Sequence, residues 1–284
     1  MSVDTTGPYQ SAWFASRRSA APILRRARTP WSQRKFRGAR ISVLRLTQAH
    51  TFLTPERTFV WDLPLRLAHA ALAACVAGSF VTHWLGSPAF RWHEACGCTT
   101  LVLVVFRLVW GVIGPRHARF ASFVRGPRAV LCYTRELARR APAVSAGHNP
   151  LGGWMVMALF ALLLAQAASG LIANDAIVDA GPLYGYVSAA QSDAASRLHR
   201  ALANWILAGA CLHVGAVLAY RLVLRMDLIR PILTGFKDGL PPGTGIGRSA
   251  SGQRLALAAV IVAGLAALLG WLLYTAPAFV LIPS

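Results

Sequence analysis

Five apolar blocks, each about as long as the helix that crosses a bilayer, dominate this sequence. They run approximately over residues 65–85, 93–113, 151–173, 197–220 and 255–276. A helix satisfies its own backbone hydrogen bonds, so helix-length apolar runs can sit in hydrocarbon where other backbone cannot. Only 14 % of the residues are charged, against about a quarter in soluble domains. The blocks therefore predict an all-α integral membrane bundle.

The segments between the blocks set its orientation. The net charge is +19, and the arginines lie between the apolar blocks rather than on one basic domain. That distribution argues against nucleic-acid binding and for the excess of Lys and Arg kept on the cytoplasmic side. The 114–150 loop carries Arg116, Arg119, Arg125, Arg128, Arg135, Arg139 and Arg140, and the 221–254 loop is similarly basic. The 174–196 loop has Asp175, Asp179 and Asp193 and no Lys or Arg; the 86–92 loop has only Arg91. The basic loops and the N-terminus are thus expected in the cytoplasm, and the other loops and the C-terminus outside.

Residues 1–58 are polar and aperiodic, with eleven Lys or Arg and two acids. They read as a disordered basic arm able to touch anionic lipid. "SRRSA" at 16–20 resembles half of a twin-arginine signal, but no apolar stretch follows it. The five cysteines form neither CxxC nor CxxCH. A zinc ribbon and covalently attached haem are therefore not indicated, and the cysteines of the apolar runs read as small packing residues. "GHNPLGG" at 147–153 reads as a helix start, with Asn149 as cap and Pro150 in the first turn.

The histidines carry the chemistry. A single imidazole in hydrocarbon needs a partner, and an interhelical hydrogen bond suffices. His199 and His213 are harder to explain separately. Fourteen residues advance a helix by about 21 Å and return it to within about 40° of the same face. Ala203, Ile206 and Ala210 lie between them on that face, and two alanines leave room for something flat. Matched for depth, His213 meets His69 of the first block, and His199 meets His93 of the second. His83, also 14 residues after His69, is the alternative to His93. It sits in "VTHWLGSP", where a solvated histidine is unremarkable, so His93 is preferred. Two bis-imidazole sites result, one per leaflet. Such ligation leaves an iron no open position and suits electron transfer. His50 and His117 lie in basic polar segments and are expected to be solvated. His148 either belongs to the helix cap or lines a quinone pocket.

As a set, "VWDLPLRLAHA" at 60–70, "RWHEACG" at 91–97, "FRLVWGVIGPRHARFASFVRGPRAVLCYTREL" at 106–137, "GHNPLGGWMVMALFALLLAQAASGL" at 147–171 and "LHRALANWILAGACLHVGAVLAYRLV" at 198–223 resemble the prokaryotic cytochrome b561 family. That family includes the b-type cytochrome subunits of nickel-iron hydrogenases. The resemblance implies a four-helix core with two non-covalent b haems, held by His69, His93, His199 and His213 in the pairs His69/His213 and His93/His199. Arg66, Arg107, Arg197 and Arg200 lie near these sites as candidates to pair haem propionates, or they snorkel to the interface. The basic arm and the fifth block fall outside the family core. The fifth block, free of His, Asp, Glu, Lys and Arg, is expected to pack or to dock a partner.

The expected organisation is an arm at 1–58, the four-helix membrane domain at 59–237, a linker at 238–254 and an additional transmembrane helix at 255–284. The expected work is electron transfer between a quinone pool and a redox protein, either cytochrome c-like or hydrogenase-like. Lipid surrounds the chain, no nucleic acid is involved, and a homodimer is compatible with the sequence. Whether the chain is a complete quinone oxidoreductase or one subunit stays open. The competing readings are a haem-free anchor subunit, which would not need matched histidines, and a small transporter, which would show internal repeats and broken helices.

Overall fold

The computed structural model describes residues 57–277, apart from 141, 143, 176, 178, 242 and 247–250. The expectations for the arm, including His50, lie outside the described residues save at Arg57 and Thr58. Helices dominate: α1 (Leu63–Leu85), α2 (Phe90–Ile113), α3 (Phe120–Phe123), α4 (Pro127–Ala138), α5 (Pro150–Leu171), α6 (Ala189–Leu222), α7 (Ile229–Thr234) and α8 (Ser251–Tyr274). Five of them, α1, α2, α5, α6 and α8, are long and apolar enough to cross a membrane.

Helix starts follow local chemistry. Asn149 caps α5, its Oδ1 accepting from the Gly152 N–H at 2.7 Å, with Pro150 in the first turn as expected. α1 begins after Asp62, whose carboxylate caps nothing and instead accepts from Trp110 Nε1 at 3.0 Å. α1 ends at Gly86, and one 3₁₀ turn (Ser87–Ala89) returns the chain into α2.

α6 departs from expectation. Part of the predicted 174–196 loop is helical, because Ser188 and Gln191 form a capping box that starts the helix before the apolar run. At 34 residues α6 is about 51 Å long and exceeds the roughly 30 Å hydrocarbon layer. Its first turns are tied to the chain leaving α5: Ser192 Oγ donates to the Ile172 carbonyl at 2.7 Å, and Ser196 Oγ accepts from the Asn174 N–H at 2.9 Å.

The packing is a chain of neighbours: α1 on α2, α2 on α5, and α5 on α6. α8 packs on α2 and α1, outside this core, through Ala258, Ile261, Val262 and Leu265. The tightest packing centres on α2, where Val104, Phe106 and Trp110 are at most 2 % exposed. Many other large apolar side chains, such as Trp205, Leu212 and Val260, are exposed on the chain itself, as lipid-facing residues must be. α6 stands off α1 and α2, the two helices whose histidines it faces.

A two-stranded antiparallel ribbon joins the two ends of the core. β1 (Thr58–Phe59) pairs with β2 (Phe236–Lys237), with Phe59 opposite Phe236. Gly235 makes the turn before β2 at φ +89°, and its carbonyl accepts from the Val60 N–H at 2.8 Å.

Candidate functional site

Topology puts the ends of α1, α2, α5 and α6 at two levels. The short α3 and α4, α7 and the ribbon lie in or beside the basic connections. At the level nearer these, the rings of His69 on α1 and His213 on α6 stand 6.4 Å apart, centre to centre. At the other level, His93 on α2 and His199 on α6 stand 6.2 Å apart. An imidazole nitrogen binds a metal at about 2.0 Å, and the ring centre lies about 1.1 Å behind it, so two imidazoles across one ion stand about 6.3 Å apart. Both pairs meet that spacing.

α6 packs closely on α5 but not on α1 or α2. Among the described residues, no group of three or more His, Cys, Asp or Glu side chains could hold a bare ion. Two opposed imidazoles alone leave four equatorial positions for a planar ligand, which is what a porphyrin supplies.

The second pair is oriented by its surroundings. His93 Nδ1 donates to the Ser79 carbonyl at 3.0 Å, and His199 Nδ1 donates to the Gln166 carbonyl at 3.0 Å. Each bond points Nε2 away from the carbonyl, the arrangement a metal-bound imidazole usually has. α5 approaches closely here. A Cβ on Gly170 would come within 2.8 Å of His199 Cε1. Gln166 Nε2 also lies 3.1 Å from His199 Nε2, while its Oε1 is buried without a hydrogen bond.

The family of prokaryotic cytochrome b561 matches residues 60–235, more than half of the chain. The chain belongs to the prokaryotic cytochrome b561 family. No curated protein and no solved structure matches it. This cytochrome is accordingly a multi-pass membrane protein that binds b-type haem and works in electron transfer.

The four arginines of the cytochrome separate clearly. Arg107 is 5 % exposed, its guanidinium carbon 5.8 Å from the Phe160 ring centre, and its Nη1 has no hydrogen-bond partner. Asp62 lies within its electrostatic reach, and a buried guanidinium with one nitrogen lacking a hydrogen-bond partner fits a carboxylate group such as a haem propionate. Arg66 bonds the carbonyls of Ile232 and Leu233, and so braces the last turn of α7. Arg197 and Arg200 are exposed.

His117 corrects an expectation. It is buried, not solvated: its Nε2 donates to the Thr244 carbonyl at 2.6 Å, and burial lowers its basicity. His148 packs its ring between Trp61 and Phe123, with centroids 4.9 and 4.6 Å away. Burial foremost, and then Arg107 and the neighbouring histidines, push its pKa down to about 3. Nearby, Tyr133 and Tyr220 join hydroxyls at 2.8 Å, and Asn149 Nδ2 donates to Tyr220 Oη at 3.1 Å. Burial and that hydrogen bond raise the Tyr133 phenol well above its ordinary range. Asp62 is also held high, by burial.

Sequence reasoning passed over Ser79 and Gln166. Gln166 had a signal: it is the single side-chain amide within the apolar run of α5, and polar groups in membrane helices mark functional sites by default.

Proposed function

We propose that the cytochrome holds two b haems, one between His69 and His213 and one between His93 and His199, and passes electrons across the bacterial inner membrane between a quinone and a redox protein. The observation that carries this is the pair of ring separations, 6.4 and 6.2 Å, at two levels of one bundle. A haem-free anchor would have no use for them. Arg107 would pair a propionate at the His69/His213 level. Charge bias supports an orientation with the N-terminus and the basic connections in the cytoplasm and the C-terminus outside.

When bound, haem would supply reversible one-electron chemistry. The chain does the rest. His69, His93, His199 and His213 would hold the haem through their ring nitrogens. The Ser79 and Gln166 carbonyls hold two of those rings in one tautomer and raise their basicity.

For the quinone, the cytochrome offers a pocket of about 330 Å³ at the basic end, lined by Arg116, His117, Phe123, Ser145 and His148. His148 Nδ1 is buried there with no hydrogen-bond partner. A neutral imidazole can donate one hydrogen bond to a quinone carbonyl and still accept another. The test is anaerobic addition of a short-chain quinol to the purified oxidised protein. Growth of the reduced b-type absorption band is expected, and slower growth in His148→Phe. Failure of any quinol to reduce a protein that dithionite reduces would overturn the quinone assignment.

A further inference from the structure

The short helix α4 has two faces. Ala129, Val130, Tyr133 and Leu137 are its less exposed side, and the helix packs on α5, with the Tyr133 hydroxyl 2.8 Å from that of Tyr220 on α6. The opposite side carries Arg128 and Arg135, continued by Arg139 at the helix end, all three exposed. Seven residues, and likewise eleven, bring an α-helix back to within about 20° of its starting direction. The three guanidinium groups therefore share one stripe, about 17 Å long. None of the three joins an ion pair among the described residues. The 114–150 segment has one acid, Glu136, against seven arginines, and Glu136 is half-buried at the edge of the inward side.

The stripe begins at a membrane boundary. Trp154, near the start of α5, is half-exposed, and its Nε1 donates to the Arg125 carbonyl at 2.9 Å, two residues before α4 begins. α5 is one of the apolar spans, and an exposed tryptophan near the end of a span belongs at headgroup level. Leu131 lies between Arg128 and Arg135 along the helix and is 52 % exposed. Acyl chains would bury it, while the arginine stems run along apolar surface and their heads reach phosphate depth. Arginine matches phosphate oxygens with two parallel N–H donors. An acidic soluble protein would suit the charge but would leave the exposed Leu131 and the level of Trp154 without a reason.

We propose that the outer face of α4 binds anionic phospholipid, with Arg128, Arg135 and Arg139 on the headgroup phosphates and Leu131 among the acyl chains. The site depends on α5 spanning the membrane and is independent of the haem pairing and of the quinone.

Cys132, exposed and one turn from both Arg128 and Arg135, supplies a local probe. The full chain carrying Cys211→Ser, labelled at Cys132 with a small fluorophore, is reconstituted in phosphatidylcholine vesicles. These are doped with equal small fractions of either phosphatidylglycerol or phosphatidylcholine bearing an acyl-chain nitroxide quencher. Quenching by the phosphatidylglycerol should exceed quenching by the phosphatidylcholine severalfold, since each arginine near an anionic surface adds about fivefold to binding. Arg128→Gln/Arg135→Gln/Arg139→Gln should abolish that preference while both lipids still quench. Lysine at the three positions should keep part of it, as charge without the planar fork. The b-haem absorption of each variant reports an intact bundle. Equal quenching by the two lipids in the wild type, or a preference that survives the triple glutamine variant, overturns the site. Quenching by neither lipid also overturns it, and leaves the stripe to an acidic protein.

Discussion

His69 on α1 and His213 on α6 face each other with ring centres 6.4 Å apart, although the helices carrying them do not pack closely together. Close-packed helix axes lie about 8–10 Å apart. Here the rings meet where the helix backbones do not pack closely. The same relationship holds between α2 and α6 at His93 and His199.

Arg107 lies 14 residues after His93 on α2, so the helix that carries His93 at one level presents a cation at the other. Its burial and its orphaned Nη1 tie its charge to the His69/His213 site. A nearby cation favours the reduced state of a haem, which carries one more electron. Arg107→Gln should therefore lower the midpoint potential of one haem by about 60 mV, a tenfold shift in a one-electron equilibrium. Arg107→Lys should lower it less. Potentiometric titration reads both, and an unchanged potential in Arg107→Gln would place the guanidinium elsewhere.

His148 gives the fold an acid limit. The unfolded chain protonates this imidazole near pH 6.5. The folded protein resists protonation down to about pH 3. Below the unfolded value the unfolded state binds more protons, so stability falls as pH drops from about 6.5 towards 3. The slope is at most about 1.4 kcal/mol per pH unit. His117, lowered by burial in the same direction, adds to it. His148→Phe, seated between Trp61 and Phe123, should remove part of the loss in thermal midpoint between pH 7 and pH 5. An identical loss in wild type and variant would contradict the assignment.

Gly235 holds the ribbon that closes the core. Its φ of +89° suits glycine, and a Cβ there would lie 2.8 Å from the Phe59 ring and from the Trp61 carbonyl oxygen. Gly235→Ala combines backbone strain with a clash and should cost about 1–3 kcal/mol. Thermal denaturation in detergent should show a lower midpoint, with the haem content unchanged at low temperature.

Spans, caps and partners differed in how far the sequence disclosed them. The five spans were legible because lipid demands long apolar runs, and Asn149 because its cap is local. The depth match that paired His69 with His213 and His93 with His199 needed only helix rise and topology. What stayed hidden depends on distant contacts. His117 looked solvated in its basic segment because the Thr244 carbonyl that binds it lies 127 residues away in sequence. The bonds of Arg66 to the α7 carbonyls also lay beyond reach, because those carbonyls are 166 and 167 residues away in sequence. The early start of α6 was missed for another reason: Ser188 and Gln191 form their capping box inside a polar stretch that reads as loop.

Haem counting by the pyridine haemochrome assay on purified protein addresses the central claim most directly. Two b haems per chain are expected in the wild type and one in His69→Ala, the survivor keeping its low-spin spectrum. A wild-type count of one or none, or a His69→Ala protein that retains both haems unaltered, would contradict the two-pair arrangement.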